Sequence, residues 1–380
     1  MYSAHQHGTM LTDQVRVGAY RRALQKVVKP GDVVVDIGAG SGIFSLFACQ
    51  AGARKVYAIE PEEVIDLARL IAKDNGYADR IEFIRDLSTR VALPEKANVI
   101  VSDMHGGLPV FTTALESLID ARRRWLAPGG AMMPLRERIW AAVVELPVKD
   151  YDRVAVWQDR RYGVDLTAGG RFGVDTPFSA TVTPEQFVTA PQCIATIEHL
   201  RLDSPSICGQ ASFTASRAGQ ANGFSLWFDN DLAEGVSITT APGEPSTVYP
   251  NQFVPWSQPV SLNAGDSIHA EIRFAYVNED YLWAWNTSVR TPDGTVRADF
   301  RQSSLNSTYV TSEQLRKRAP GYRPRLTPLG IAGQALLGLM DGRRTHEEVA
   351  RMAFAQHPEA FPNEQAALKA VVEFSALYGQ

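Results

Sequence analysis

The chain has 380 residues, a formal net charge of −4 and a hydrophobic content of 45%. At about 100–200 residues per domain, this length predicts two or three domains with ordinary globular cores. With this small negative net charge, nothing favours bulk electrostatic binding to nucleic acid. Cys49, Cys193 and Cys208 form no metal-binding pattern, and no apolar run approaches the ~18 residues of a membrane span. We therefore expect a cytoplasmic, reduced protein that contacts neither nucleic acid nor membrane.

Short apolar runs alternate with helical stretches in the first third of the chain. Four runs predict strands: VVVDIG (33–38), KVYAIE (55–60), RIEFIR (80–85) and ANVIVS (97–102). Helices are predicted at 43–51, 61–75 and 113–125, and WLAPGGAMMP (125–134) predicts a closing turn. This alternation is typical of βαβ units, so an α/β domain with a parallel sheet is predicted over residues 1–135.

The pattern changes to period-two alternation at about residue 136. Segments such as RIWAAVVEL and SIHAEIRFAYV, separated by Gly, Pro and Asp turns, predict an antiparallel sheet or barrel over 136–315. Residues 320–380 are helical again, with a capping box from Thr345 to Glu348 and a helix cap at Asn363. This last module is either winged-helix-like or a packed helical tail.

The glycine-rich stretch VVVDIGAGSGIFS (33–45) carries the most information about function. A strand leads into glycines that let the backbone approach a ligand closely, in front of a helix N-terminus. The acid Glu60 ends the next strand, where it can accept both hydroxyls of a ribose. Asp36, at the end of the first strand, disfavours a pyrophosphate and suits a cationic ligand. Together they predict a site for the sulfonium-bearing methyl donor S-adenosyl-L-methionine; a purely structural turn is the alternative.

The quoted motifs resemble the protein arginine methyltransferase family. The likeness runs from residue 3 to about 300 and includes HGTMLTDQVRVGAY, VYAIEP, ANVIVSDMHG and ARRRWLAPGGAMMP in family order. It implies a class I methyltransferase Rossmann-like sheet domain followed by an antiparallel β-barrel. It also implies a dimerisation arm at about 149–175, and hence a homodimer.

The resemblance also implies roles for single residues. By position, Arg16 would hold the donor's carboxylate and Glu60 its ribose, while Asp36, Gly38 and Gly40 would line its methionine part. Further donor contacts are implied near the adenine (Asp86, Leu87, Ser88) and over the site (His7, Met10).

The acceptor side departs from the family pattern. The family's two guanidinium-gripping glutamates fall on Asp103 and Thr112, and its Thr-His-Trp loop falls on FVPWSQP (253–259), where only Trp256 remains. A guanidinium is permanently charged and binds carboxylates as a fork, so a single aspartate opposite a threonine is a poor substitute. Losing one partner of a buried charge pair costs about 3–5 kcal/mol. We therefore predict an amine acceptor, oriented by Asp103 and deprotonated by His105.

The stretch ALLGLMDGRRTHEEVARMAF resembles the small peptide-recognition domains of ribosomal-peptide modification enzymes, which bind a leader peptide by strand addition. This favours a peptide or peptide-derived natural product as the acceptor. The alternatives are a small-molecule N- or O-methyltransferase with His105 as base, an arginine methyltransferase, and a non-catalytic scaffold that retains the fold.

Overall fold

The computed structural model describes residues 3–158 and 160–379. The chain divides into two compact units: unit 1 ends at Tyr309 and unit 2 begins at Val310. The boundary predicted near residue 136 lies inside unit 1, between a parallel and an antiparallel part. Within the described ranges, no helix is both long enough and apolar enough to span a membrane.

The first part of unit 1 is built on a parallel sheet with strand order β3-β2-β1-β4-β5. Its strands are β1 (Val33–Ile37), β2 (Lys55–Ile59), β3 (Ile81–Ile84), β4 (Ala97–Ser102) and β5 (Leu126–Met133). Its helices are α1 (Ala4–Thr12), α2 (Gln14–Val27), α3 (Ile43–Gln50), α4 (Val64–Asp74) and α5 (Ala114–Trp125). The predicted parallel sheet is confirmed, but the turn predicted over 125–134 is wrong, because most of that segment pairs with β4 as a fifth strand.

Strand β1 explains why the functional site forms where it does. All five of its residues are buried, because β2 and β4 flank it and helices cover both faces of the sheet. The chain order reverses between β1 and β4. In open α/β sheets, ligands bind beyond the carboxyl ends of the strands at such a reversal. The residues that follow β1, β2 and β4 therefore converge at one edge.

The second part of unit 1 is antiparallel, as the period-two pattern predicted. Its strands are β6 (Arg136–Val144), β7 (Phe178–Ser179), β8 (Gln192–Glu198), β9 (Ile207–Thr214), β10 (Gly219–Ala233), β11 (Val236–Thr239), β12 (Gln252–Leu262), β13 (Ser267–Val277), β14 (Asp280–Arg290) and β15 (Val296–Ser303). They form two hydrogen-bonded sheets, of orders β7-β12-β10-β6-β8 (with β11 on β10) and β15-β14-β13-β9, which share one core.

The predicted arm (149–175) carries two helices, α6 (Val148–Ala155) and α7 (Gly170–Gly173), joined by short 3-10 turns. Position 159 lies outside the described residues. Several apolar side chains of the segment are exposed to solvent in the single chain: Val148, Trp157, Tyr162 and Val164.

Unit 2 consists of helices: α8 (Ser312–Arg318), α9 (Pro328–Leu339), α10 (His346–Gln356) and α11 (Glu364–Tyr378). The caps predicted at Thr345 and Asn363 are confirmed, since their side chains accept the backbone amides of Glu348 and Ala366. Between residues 310 and 379 the structure contains no strand. The winged-helix form is therefore wrong for this module, and a strand-adding leader peptide would find no sheet edge there.

Candidate active site

The glycine loop after β1 folds tightly beneath a cavity. Gly38 and Gly40 have φ angles of +72° and +51°, a region that side chains rarely adopt. A Cβ at Gly38 would lie 2.7 Å from Met104 Cγ, and one at Gly40 would lie 3.3 Å from His7 Cε1. Position 38 therefore favours glycine for conformation and for space, and position 40 for conformation.

Glu60 locks this loop to the end of β2. Its Oε2 accepts the Gly40 amide at 3.0 Å, and its Oε1 accepts the Glu62 amide at 3.0 Å. An ionised carboxylate has about four lone-pair sites, so each oxygen keeps capacity for one further donor. Glu60 can thus fix the loop and still accept ligand hydroxyls.

A cavity of about 300 Å³ lies above this loop, at the edge predicted from the strand order. Most of the predicted site residues line it: His7, Met10, Arg16, Gly38, Gly40, Glu60, Asp103, His105 and Thr112. Phe44 and Phe111 add apolar wall. The structure thus brings donor-side and acceptor-side candidates together around one space.

Five predicted residues do not line this cavity. Asp36 lies behind the loop, 1% exposed, where its Oδ2 accepts the Ser45 hydroxyl at 2.6 Å. Burial raises the pKa of Asp36 to about 7, against the effect of the Ser45 hydrogen bonds. The other four are Asp86, Leu87, Ser88 and Trp256. Asp36 is thus buried behind the cavity wall and bonded to Ser45, and its contact with the methionine part of the donor stays a prediction.

The adenine-side candidates follow β3, the strand next to β2. Asp86 Oδ1 accepts the Leu87 amide at 2.7 Å, and the Ser88 carbonyl accepts Arg124 Nη2 at 2.7 Å. Leu87 is exposed and Ser88 is buried. The segment sits at the carboxyl edge of the sheet but outside the cavity walls, so its contact with adenine stays a prediction.

Trp256 is a core residue, and its assignment to acceptor binding is wrong. It is 0% exposed on β12 and packs against Phe224 and Phe300 between the two antiparallel sheets. Segment 253–259 is strand rather than loop. The residue from this region that reaches the site is Tyr249, which precedes β12 and which sequence reasoning missed.

Asp103 is the centre of a buried polar cluster at the end of β4. Arg16 Nη1 donates to its Oδ2 in an ion pair whose two side chains are 6% exposed. His105 Nδ1 lies 3.1 Å from its Oδ1, and the Tyr249 hydroxyl donates to the same oxygen. Tyr20 Oη lies 3.0 Å from both Asp103 Oδ1 and the Ser102 carbonyl. Burial alone would raise the pKa of Asp103, but the His105 hydrogen bond and the Arg16 charge lower it overall.

His105 cannot be the proton acceptor that the sequence predicted. Its Nδ1 contacts Asp103, and its Nε2 lies 2.5 Å from Glu137 Oε1. Burial would lower its pKa, but the charge of Glu137 and the bond to Asp103 raise the pKa of His105 to about 10. At neutral pH both ring nitrogens carry protons, so the imidazolium has no lone pair to offer.

Glu137 and His199 were missed by sequence reasoning. Glu137, on β6, is 1% exposed, and its Oε2 lies 2.7 Å from His199 Nε2 just after β8. Burial would raise the pKa of Glu137, but His105 and His199 lower it to about 2. In the sequence, Glu137 is one charged residue in a strand of alternating polarity, and nothing nearby marks it as a site residue. Only the fold shows that its side chain is buried.

Thr112 lines the cavity with a φ of +39°. A β-branched residue in that region is a conformational outlier, of the kind that clusters at functional sites. The structure places Thr112 where the family resemblance expected a second carboxylate, so Asp103 is the carboxylate on this side of the cavity. Among the described residues, no group of three or more His, Cys, Asp or Glu side chains could hold a metal ion.

Comparisons with known proteins agree with this architecture. Residues 136–286 match the arginine methyltransferase oligomerization subdomain, and residues 21–134 match the ribosomal protein L11 methyltransferase family. The probable histone-arginine methyltransferase 1.3 of Arabidopsis thaliana is 38% identical over 276 residues, covering 68% of this chain and 51% of that protein. Protein arginine N-methyltransferase 6 of Danio rerio is 30% identical over 285 residues, covering 70% of this chain and 80% of that protein.

Solved structures show the same fold. The crystal structure of Arabidopsis thaliana protein arginine methyltransferase 10 superposes with a TM-score of 0.70 at 26% identity, covering 79% of this chain and 97% of that one. A Trypanosoma brucei enzyme-prozyme complex with AdoHcy gives a TM-score of 0.72 at 24% identity, covering 78% and 96%.

The parallel sheet, its glycine loop and the acid after β2 define a class I methyltransferase fold. The chain belongs to the protein arginine methyltransferase family, as the resemblance predicted. It spans about half the length of the plant histone-arginine methyltransferases that it matches.

Proposed function

We propose that the protein transfers a methyl group from S-adenosyl-L-methionine to the nitrogen of an amine. The observation that carries this proposal is the single carboxylate, Asp103, on the acceptor side of a cavity whose other end is built for the donor. When bound, S-adenosyl-L-methionine supplies an electrophilic methyl group on a sulfonium. The acceptor then needs a free lone pair, alignment and close approach.

The residues around the cavity fit this donor. Glu60 keeps acceptor capacity for ribose hydroxyls, and Gly38 and Gly40 leave the backbone open to close approach. Arg16 lines the cavity, where its guanidinium supplies positive charge for a carboxylate, and its Nη2 donates to the Met10 carbonyl at 2.6 Å. Asp36 lies buried behind the loop, its Oδ1 has no hydrogen-bond partner, and burial raises its pKa to about 7.

The acceptor side suits an amine better than a guanidinium. A fork-shaped, permanently charged guanidinium is best held by two carboxylates, and Thr112 leaves one of those positions without charge. Asp103 can orient one N–H group of an amine and stabilise the positive charge that nitrogen acquires during transfer.

Arginine methylation is the second candidate, and the relatives favour it. The proteins compared above carry arginine methyltransferase names, at up to 38% identity. This candidate requires that Asp103 alone suffice for a guanidinium, or that the acceptor bring its own compensating charge.

Two further proposals concern the binding partners of the protein: a second copy of the chain and a peptide acceptor. The match to the oligomerization subdomain and the exposed apolar side chains of the arm support a homodimer. A peptide acceptor rests on the sequence likeness of unit 2 alone. The helices-only structure described for residues 310–379 removes the strand-addition route for it.

The test begins with calorimetric titration of S-adenosyl-L-homocysteine, the demethylated product, into the wild-type protein. Transfer from labelled donor is then measured on an amine peptide without arginine and on a matched arginine peptide with blocked amines. We expect low-micromolar binding and label on the amine peptide. Label on the arginine peptide alone would establish the second candidate, and failure to bind the product would contradict both.

Asp103→Asn should reduce turnover at least 100-fold while changing product affinity far less. Glu63→Gln is the matched control, because Glu63 is an exposed carboxylate outside the cavity. A fully active Asp103→Asn variant would contradict the role of Asp103.

A further inference from the structure

A buried chain of four titratable side chains crosses from the site into the antiparallel part of unit 1. It runs Asp103–His105–Glu137–His199, with heavy-atom distances of 3.1, 2.5 and 2.7 Å. The four residues come from the loop after β4, strand β6 and the turn after β8. His199 Nδ1, at the inner end of the chain, is buried and has no hydrogen-bond partner among the described residues.

The first consequence is that Oδ1 of Asp103 is already filled by donors, while Oδ2 holds Arg16 and keeps one acceptor site. Its Oδ1 faces His105 Nδ1, Tyr249 Oη and Tyr20 Oη, while Arg16 Nη1 occupies Oδ2. One carboxylate oxygen has about two lone-pair sites, so three donors fill Oδ1. The negative charge of Asp103 can stabilise the acceptor. Protonation of Asp103 by the acceptor is unfavourable, because it would break existing hydrogen bonds and because the pKa of Asp103 is lowered.

The second consequence is that His105 presents positive charge rather than a lone pair. The His105 ring lies between the carboxylates of Asp103 and Glu137, which are almost fully buried, and Glu137 also contacts His199. Its ring stacks on Phe228 with centroids 5.3 Å apart and meets Tyr249 edge-on at 5.5 Å. The charged and titratable groups around it are these: Asp103, Glu137, His199, Tyr249, Tyr20 and Arg16.

We infer that this site selects amines that arrive uncharged at neutral pH, such as an α-amino group, and discriminates against lysine side chains and guanidinium groups. The inference rests on the proposed amine acceptor and narrows it. In the transfer, the neutral nitrogen's lone pair forms the N–C bond as the C–S bond breaks. The products are an N-methylammonium and a neutral thioether. The surplus proton leaves to water after product release, so the site needs no base.

The expected selectivity follows from ordinary pKa values. At pH 7.5 an α-amine of pKa about 7.8 is one-third neutral, whereas a lysine amine of pKa about 10.4 is neutral roughly one time in 10³. The resulting preference in kcat/KM is roughly 250-fold. For the α-amine, kcat/KM should rise with pH and level off near pH 8, at the pKa of the acceptor itself.

Glu137 is a positioning residue in this scheme, since it acts through His105. Glu137→Gln removes the charge that does most to keep His105 protonated, so the ring can become neutral and the site loses positive charge that opposes a cationic amine. We expect the α-amine to lysine ratio to fall at least tenfold. Glu145→Gln, a half-exposed carboxylate just beyond β6, is the matched control and should keep the wild-type ratio.

The experiment measures kcat/KM for two peptides of one sequence with the wild-type protein. One has a free α-amine and acetylated lysine, and the other a free lysine and acetylated N-terminus, from pH 6 to 9.5. The wild-type measurement tests the inference even if Glu137→Gln fails to fold. Equal rates on both peptides at pH 7.5 would overturn the inference and leave amine methylation standing. Transfer to an arginine peptide alone would overturn the proposed amine function itself.

Discussion

Asp13 accepts the backbone amide of Val248 at 2.8 Å, joining the start of α2 to the loop that carries Tyr249. Its other oxygen caps α2 by accepting the Arg16 amide at 2.9 Å. Arg16 and Tyr249 are two of the donors around Asp103. Asp13, a buried carboxylate outside the cavity, therefore helps to position both Arg16 and Tyr249 against Asp103.

Asp13→Asn and Asp13→Ala should separate these two tasks. Asparagine is a good helix cap but has only one oxygen, so it can keep the cap and lose Val248. Alanine loses both. Losing a cap costs about 1 kcal/mol, so Asp13→Ala should unfold at lower urea concentration than Asp13→Asn. Both should reduce turnover severalfold, since Tyr249 loses its anchor. An Asp13→Asn enzyme with wild-type turnover would show that the Val248 bond is dispensable.

Glu60 gives the sharpest test of the donor end. Glu60→Gln keeps one carbonyl oxygen for the Gly40 or Glu62 amide but loses the charge and the second acceptor. We expect product affinity to fall about tenfold, equivalent to about 1.4 kcal/mol, in calorimetric titration. Glu82→Gln, on neighbouring β3 and exposed, should bind normally. Unchanged affinity in Glu60→Gln would mean that the ribose lies elsewhere.

The predicted dimer can be tested through the arm. Tyr162 and Val164 are 89% and 56% exposed in the single chain. Replacing both with serine should shift the sedimentation coefficient from dimer to monomer, because apolar contact area drives such association. Val277→Ser, at the β13–β14 hairpin and 52% exposed, is the control. If the double variant sediments as the wild type does, the arm is not the interface.

The sequence predicted the parallel sheet well because its signals are local. Continuous apolar strands such as β1 and the glycines at positions of positive φ carry their structural reason in adjacent residues. The same holds for the capping residues Thr345 and Asn363. Donor-side candidates followed directly, since the ends of parallel strands meet at one edge.

The acceptor side was harder because its contacts are long-range. His105 looked like a base until Glu137, 32 positions away, was found against its second nitrogen. Tyr249 contacts Asp103 across 146 positions, with nothing in its local sequence to mark it. Trp256 failed for a related reason: a motif was carried over by position, whereas strand alternation turns that side chain into the core.

His105 should also leave a signature in stability. Its pKa is raised to about 10 in the fold, against about 6.5 when unfolded. The folded state therefore binds the proton more tightly, and this stabilisation is fully present below pH 6.5 and lost as pH rises toward 10. His105→Asn removes the cation that lies between Asp103 and Glu137 and leaves these carboxylates with Arg16 and His199 alone. The variant should be destabilised by about 3–5 kcal/mol near pH 6.5.

The difference in free energy of unfolding between the wild type and His105→Asn should then decrease with increasing pH, by at most about 1.4 kcal/mol per pH unit. Urea unfolding at pH 6.5, 8 and 9.5 measures it. His269→Asn, at an exposed histidine on β13, is the control substitution. A difference for His105→Asn that is the same at all three values would show that the imidazole is neutral in the fold. In that case His105 could act as a general base, a role that its protonation in the buried chain otherwise prevents.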